Sequence, residues 1–435
     1  MPEPASSDSS DVSLPGAVAI GIGGMVGGGI FATLGVAAEQ AGGATPIAFL
    51  LGGIVAALTA TSYAKLSVRY QSSGGTVTFI DEIFGVELLS GTVNVLLWVG
   101  YIATTALYSA AFANYSAALI VGGGGASGIL VRALVLVGVL VPWVINLARA
   151  SLIARTESTV VAIKVAILVA VVVAGVPSIE PDRLGTSQWA SPMAIIAAGM
   201  LVFVAYEGFE LIANASADLR DPRRNLPRAF AWSVGIVVVL YLAIAAVVVG
   251  SLDPERIVAA ADYALAEAAD SSLGGAGFVL VGISAVLATF SAINATLYGA
   301  ARLSFTLATE GELPAGFRER PWSQPVGLHL TAAGGAAIAV ALPVGSISSV
   351  SSSIFLIVFA TVNVAAFRAG SDAQVVRPLA VAGAVLCASS LVVLTVVNVR
   401  DDPISLLVLG VLVAAGLVTE HTVLRPARRA ARSPS

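Results

Sequence analysis

The stretch GIGGMVGGGIFATLG, Gly21 to Gly35, lies inside an apolar run that carries no charge from Val12 to Ala38. A run of that length can cross a bilayer as a helix, which takes about 20 residues. Its middle is nearly half glycine, however, and each glycine weakens a helix by about 1 kcal/mol relative to alanine. Breaking a helix in hydrocarbon frees N–H and C=O groups that are costly unless something polar meets them. Gly27 to Gly29 also make a poor packing stripe, because a stripe needs spacings of three or four. The stretch therefore reads as a deliberate break whose freed backbone binds a ligand. The N–H groups at a half-helix N-terminus attract a carboxylate, and free carbonyls attract an ammonium or a metal cation. A zwitterion such as an amino acid meets both needs. Gly21, Gly23 and Gly24 come a turn or more earlier and read as packing glycines.

The 435 residues are 57% hydrophobic and 11% charged, with a mean hydropathy of +0.93, which excludes a soluble domain. The pattern predicts an all-α polytopic membrane protein with twelve spans, near 13–38, 44–68, 87–119, 128–148, 157–176, 192–214, 229–250, 277–308, 327–343, 350–367, 377–397 and 403–424. Of the 22 basic residues, only Arg132, Arg183, Arg256 and Arg400 fall on one side, and Lys164 falls inside the fifth span. The remainder share the other side, which places both termini in the cytoplasm of a cytoplasmic (plasma) membrane protein. The acidic segment Met1–Ser13 has no basic n-region of a signal peptide. The outer loop Ser251–Ala276 predicts a short helix on the outer face, and DPRRNLPRA, Asp221–Ala229, predicts a proline-punctuated loop. A net charge of −4 points to no nucleic-acid partner, and the lone Cys387 permits no internal disulfide. His329 and His421 lie far apart, so no metal site is expected, and nothing calls for a cofactor.

A second interruption lies in FVAYEGFELIANAS, Phe203 to Ser216, where Gly208 stands beside two carboxylates. Five spans start at each broken one, the first running in to out and the sixth out to in. That is the signature of an inverted repeat with two discontinuous helices meeting near the midplane. It predicts a core over 13–367, with repeats near 13–176 and 192–367, two further spans over 377–424, and tails at 1–12 and 425–435.

At these residues the sequence resembles the amino acid–polyamine–organocation (APC) superfamily of secondary transporters. Gly27, Gly28, Gly29, Ile30 and Phe31 match a first-span motif like G-[SAG]-G-I-F. SYAKLSVRYQSSGG, Ser62–Gly75, FVAYEGFELIANASADLRDPRRNLPRA, and SAINATLYGAARLSFTLATEGELP, Ser291–Pro314, resemble three further family segments in the right order. The resemblance covers roughly residues 14 to 320. It implies a LeuT-like ten-helix core plus two helices, with alternating access around a central site. By position it implies that Gly27 to Phe31 hold a substrate carboxylate. It assigns the amino group to carbonyls of Ala205, Tyr206 and Gly208, and makes Tyr206 and Phe209 a pocket wall or gate.

Lys164 sits roughly 13 Å deep by helical rise. A lysine at that depth either snorkels to the interface or faces protein and a partner. In proton-coupled members of the family, a fifth-span lysine stands where sodium-coupled relatives bind an ion. The resemblance thus implies proton coupling through Lys164, its ammonium near hydroxyls such as Thr289 or Ser291. Glu210 matches the recurring GFE glutamate, whereas Glu207 departs from the common pattern. Three readings stay open: Glu207 binds a cationic group of the substrate, either carboxylate relays a proton, or one is a structural pair. Tyr101, Thr104, Thr105 and Tyr108 share one face of the third span and either line the pocket or pack. The chain thus reads as a secondary transporter of amino acids, with protons, a small-molecule amino acid or amine, and the lipid bilayer as partners. Its rivals are an exchanger of cationic amino acids or polyamines, and a membrane enzyme or sensor. The last would need a catalytic cluster or a soluble domain that the sequence lacks.

Overall fold

A computed structural model describes residues 12–148, 153–370, 376–419 and 421. The basic tail 425–435, and the N-terminal tail apart from Val12, lie outside the described residues. Where described, the chain is helical, with two isolated bridges and no strand. The first span is split into α1 (Leu14–Met25) and α2 (Gly29–Ala41), bent by 47°. There follow α3 (Thr45–Arg69), α4 (Thr76–Phe84), α5 (Leu88–Val121), α6 (Gly128–Ala148) and α7 (Ile153–Gly175). The sixth span comprises α8 (Pro192–Leu201), a 3-10 turn over Val202–Tyr206 and α9 (Leu211–Asn214). Then come α10 (Pro222–Ser251), α11 (Pro254–Ala259), α12 (Ala264–Leu273) and α13 (Gly275–Glu310). The last four are α14 (Val326–Ala341), α15 (Val344–Arg368), α16 (Val376–Asp401) and α17 (Pro403–Thr419).

Among the described residues, nine helices are long and apolar enough to cross a membrane, and the bent α1–α2 pair makes ten. The shorter apolar α14 and α17 fall where the ninth and twelfth spans are predicted. Local chemistry sets several helix starts. Ser13 Oγ accepts from Gly16 N–H, and Ser191 Oγ from Ala194 N–H, each just ahead of a proline in the first turn. Burial sorts the helices into layers. The most apolar windows of α5 and of the sixth span are 94% and 89% buried, against 28% for α7 and α16. The third and sixth spans therefore form the centre, and α7 and α16 turn most of their surface to lipid.

Three expectations change. DPRRNLPRA is not a loop, because α10 begins at Pro222. Pro222 at the first helical position gives up an N–H that had no helical partner anyway. Pro227 leaves only the Arg223 carbonyl without its partner, and Arg223 is exposed. The outer loop forms two helices, α11 and α12, separated at Ala260, where φ is −113° and ψ 17°. It does not merely lie on the outer face. Leu265 and Ala268 are buried, and a Cβ on Gly35 would stand 1.9 Å from the Ala261 carbonyl oxygen, so α2 and this segment are in backbone contact. Burial, reinforced by the nearby Glu39 carboxylate, raises the Asp262 carboxyl above the usual carboxylate range. Finally, α4 was not foreseen, and it is tied to the second span through Tyr63 Oη and Thr76 Oγ1 at 2.9 Å.

Asn363 of α15 fastens the helices around the centre. Its Oδ1 accepts from Ser62 Oγ at 2.7 Å, and its Nδ2 donates to Thr59 Oγ1 at 3.0 Å and to Phe359 O at 2.8 Å. Interhelical bonds of this kind contribute about 0.6–1.7 kcal/mol in a membrane. Asn363→Leu should therefore lower the apparent melting temperature of the purified protein in detergent. An unchanged midpoint would show that this network carries no stability.

Candidate functional site

The backbone of the first span leaves the helix at Val26, Gly27 and Gly28, one residue earlier than the glycine triplet suggests, and Gly29 opens α2. The first bond of the new helix runs from Ala32 N–H to Gly28 O at 3.0 Å. The N–H groups of Gly29, Ile30 and Phe31 therefore lack partners within α2, and among the described residues no side chain caps that end. The sixth span leaves its helix at Glu207, with ψ 144°, and Gly208, with φ +114°. That φ strongly favours glycine.

The two breaks meet backbone to backbone. A Cβ on Gly24 would lie 2.5 Å from the Gly208 carbonyl oxygen, and one on Gly208 would lie 2.4 Å from the Gly24 carbonyl carbon. A Cβ on Gly29 would lie 2.6 Å from Ala205 Cα. Gly24 is thus a packing glycine, and the surface it packs on is the other break. Gly21 meets Ile212 and Ser233, and Gly23 meets Val161 of α7.

Other spans satisfy part of the exposed main chain, through residues that the sequence did not single out. Tyr241 of α10 donates its hydroxyl to Met25 O at 2.7 Å and reaches Ala205 O at 3.3 Å, bridging both breaks. Ser352 of α15 accepts from Val204 N–H at 3.0 Å and donates to Leu201 O at 2.8 Å. The only sequence signal is a polar residue in an apolar run, and many such residues in this chain merely bond their own helix, as Ser348 and Ser353 do.

The carbonyls assigned to an ammonium are partly engaged. Ala205 O receives Tyr241, and Gly208 O is turned onto Gly24 and accepts from Leu211 N–H at 3.2 Å. Tyr206 directs its side chain to the second span, its hydroxyl on Phe49 O at 2.8 Å and its ring by Gly52 and Gly53. Phe209 joins Tyr63, Phe230 and Phe359, with ring centroids 5.2–6.3 Å apart, in a buried aromatic cluster beyond the break. On the same flank, Val12 pairs with Asp218 and Arg220 through two main-chain bonds.

Glu207 and Glu210 are both buried, 6% and 2% exposed. Their carboxyl groups are within hydrogen-bonding reach of each other. Glu210 Oε2 accepts from Gly208 N–H at 2.8 Å, and Glu207 Oε2 accepts from Tyr108 Oη at 3.2 Å. The Tyr108 ring lies on Gly28, where an added Cβ would meet it at 2.4 Å. Of the four residues on that face of the third span, only Tyr108 is seen bridging the breaks. Thr104 and Thr105 donate back to Gly100 O and Tyr101 O, and Tyr101 packs on Phe355.

Lys164 is 4% exposed and shares a buried stripe with Val161, Leu168 and Val171, while Ile163 and Val173 face outward. It faces protein and does not snorkel. The helix that carries the stripe packs on α13, α10, α1 and α12. Val161 touches Gly23, and α1 and α7 are read as running the same way. Three residues of rise, about 4.5 Å, bring Lys164 level with Val26. Thr289 is buried, its hydroxyl donating to Ala285 O at 2.7 Å. Ser291 is half-buried, and the α13 residue that meets Gly27 is Ala292.

The amino acid permease family model matches residues 12–416. An inner membrane transport protein of Escherichia coli is 34% identical over 368 residues, covering 84% of this chain and 85% of its own. A methylthioribose transporter of Bacillus subtilis is 28% identical over 68% of this chain and 67% of its own. The chloroplastic cationic amino acid transporter 9 of Arabidopsis thaliana is 29% identical over 69% of this chain and 55% of its own. A match of that extent, over a chain whose two broken helices meet as described, places the protein in the amino acid permease family of the APC superfamily, whose members are transporters and not enzymes.

Proposed function

We propose that the chain is a secondary active transporter of amino acids, driven by protons and working by alternating access around the paired breaks. The observation that carries this reading is the α2 N-terminus. The N–H groups of Gly29, Ile30 and Phe31 open beside Ala205, so a carboxylate has a seat at one break and an ammonium one at the other. In this reading Gly27 to Phe31 take the carboxylate. Ala205, Tyr206 and Gly208 shape the amino end, and Phe209 belongs to the seal beneath it. Tyr108, lying on Gly28 and bonded to Glu207, occupies the space between the seats and moves aside as substrate enters. Substrate carboxylate replaces the ring, so the site exchanges an internal contact for an external one. The same reading takes α14 and α17 as spans, giving twelve, and puts both termini in the cytoplasm.

Lys164 supports proton rather than sodium coupling, because it is buried on the stripe of α7 whose Val161 touches Gly23 of the first span, and α7 also packs on α13, so its ammonium stands in for a cation held there. Thr289 and Ser291 are the hydroxyls nearest in sequence to that face, and Glu210 is the companion carboxyl for proton passage. A second reading rests on Glu207. With Ala205 O and Gly208 O engaged, its carboxyl, beside that of Glu210, offers a cation an anionic partner at the break, which favours cationic amino acids or polyamines and an exchange mechanism.

In proteoliposomes, uptake should follow an imposed pH gradient, and Lys164→Ala should bind substrate yet fail to concentrate it. Sodium-dependent, pH-insensitive uptake would overturn proton coupling, as would a Lys164→Ala protein that still concentrates substrate. Gly208→Ala should reach the membrane but lose uptake, since the new Cβ drives into Gly24 at a φ that alanine rarely adopts; full transport by this variant would show that the breaks do not need to touch. On the second reading, Glu207→Gln weakens binding of a cationic substrate by about tenfold, or about 1.4 kcal/mol. Unchanged transport of a neutral amino acid by that variant removes Glu207 from substrate recognition.

A further inference from the structure

A groove of about 1280 Å³ opens between α3 and α10, with Leu379 of α16 at its side, and none of the break residues lines it. Small residues make it. Gly53, Ala57 and Ala60 of α3 face Ala231 and Gly235 of α10, and a Cβ on Gly235 would meet nothing within 4 Å. Large apolar side chains flank it toward the bilayer, where Leu50 is 40%, Ile54 42% and Val239 68% exposed. The wall is therefore hydrocarbon-compatible along its length. Its two helices run antiparallel, so Lys65 and Arg69 at the end of α3 meet Arg223 at the start of α10. No acidic side chain lines the groove among the described residues.

The basic end is partly preorganised. Lys65 donates to Ala366 O at 2.9 Å and Gly370 O at 2.8 Å, and Arg69 donates to Ala369 O, so both are held at the C-terminus of α15. Arg223 is exposed, and among the described residues it makes no hydrogen bond or ion pair within the protein. From Val239 back to Arg223 the helix rises about 24 Å, while one leaflet of hydrocarbon is about 15 Å thick. The groove thus offers an acyl-length apolar channel ending in guanidinium groups suited to bidentate contact with a phosphate.

We propose that this groove is a binding site for one anionic phospholipid, its acyl chain along Gly53, Ala57 and Gly235 and its phosphate at Arg69 and Arg223. Charge complementarity selects the occupant: three cations gathered at one end of an apolar slot favour a headgroup of net negative charge over a zwitterionic one, whose own cation opposes them, and over a second copy of the chain. The site also touches the machinery of the break. Gly53 in the groove floor lies between Val238 and Tyr206, with a would-be Cβ 2.8 Å from Val238 Cγ2 and 3.2 Å from the Tyr206 hydroxyl. A bound lipid therefore braces the α3–α10 pair directly behind the sixth-span break.

Native mass spectrometry of the full chain tests this, after exchange into equal amounts of chain-matched phosphatidylglycerol and phosphatidylcholine. The expected result is one retained phosphatidylglycerol per chain, preferred by about fivefold. Arg223→Gln should bring the two lipids close to parity, and Gly235→Leu should reduce retention of both. Each variant is checked for an unchanged gel-filtration profile, and Arg223, on an exposed first turn, leaves the packing intact. Equal retention of the two lipids by the unaltered protein would overturn the proposal. So would phosphatidylglycerol retention that survives both substitutions, or a lipid-free dimer in place of a lipid adduct.

Discussion

Gly24 and Gly208 bring two main chains into van der Waals contact inside a helical membrane bundle, and much of the architecture follows from that contact. Neither chain can carry a side chain there, and the sixth span leaves its helix at the point of approach while the first does so two residues beyond it, at Val26. Hydrocarbon offers no partner for the groups released, so the bundle must supply them. Tyr241 reaches in from the seventh span to Met25 O and Ala205 O, and Ser352 from the tenth to Val204 and Leu201. The N–H groups at the start of α2 remain without a partner in that helix.

The same constraint governs the ionisable groups. A charged side chain at membrane depth is tolerated when it faces protein or a cavity, and Lys164, Glu207 and Glu210 all do so. The two glutamates sit where the sixth span unwinds, so main-chain donors such as Gly208 N–H reach a carboxylate without a further side chain. Tyr108 joins the two breaks, its ring on one and its hydroxyl on the other. The third span therefore touches both breaks although it is itself unbroken. The aromatic cluster of Tyr63, Phe209, Phe230 and Phe359 packs beyond the sixth-span break, and α12 and the Ala261 turn close over α2 on the other side.

Much of this was legible in the sequence. The spans could be read because a helix in lipid must be apolar for about 20 residues. The breaks could be read because consecutive glycines suit neither a helix nor a packing stripe. The start of α10 was misread, since prolines that mark a loop in general are tolerated at a helix beginning. The register of the first break was off by one residue, because glycine marks where a chain can turn and not where neighbours make it turn. Tyr241 and Ser352 were missed because a hydroxyl that caps a broken helix looks, in sequence, like one that bonds its own.

Composition and periodicity alone thus determined that the chain is a membrane bundle, where its apolar spans lie, and which two are interrupted. Those properties belong to each segment's own encounter with hydrocarbon, which the segment's residues settle locally. Only the tertiary structure decided that Gly24 rests on Gly208, that Tyr108 covers Gly28, that Tyr206 turns to the second span and that Lys164 lies on the buried stripe of α7. Each depends on the rotation of one helix about its axis relative to another, and that rotation is chosen by packing among residues far apart in the chain.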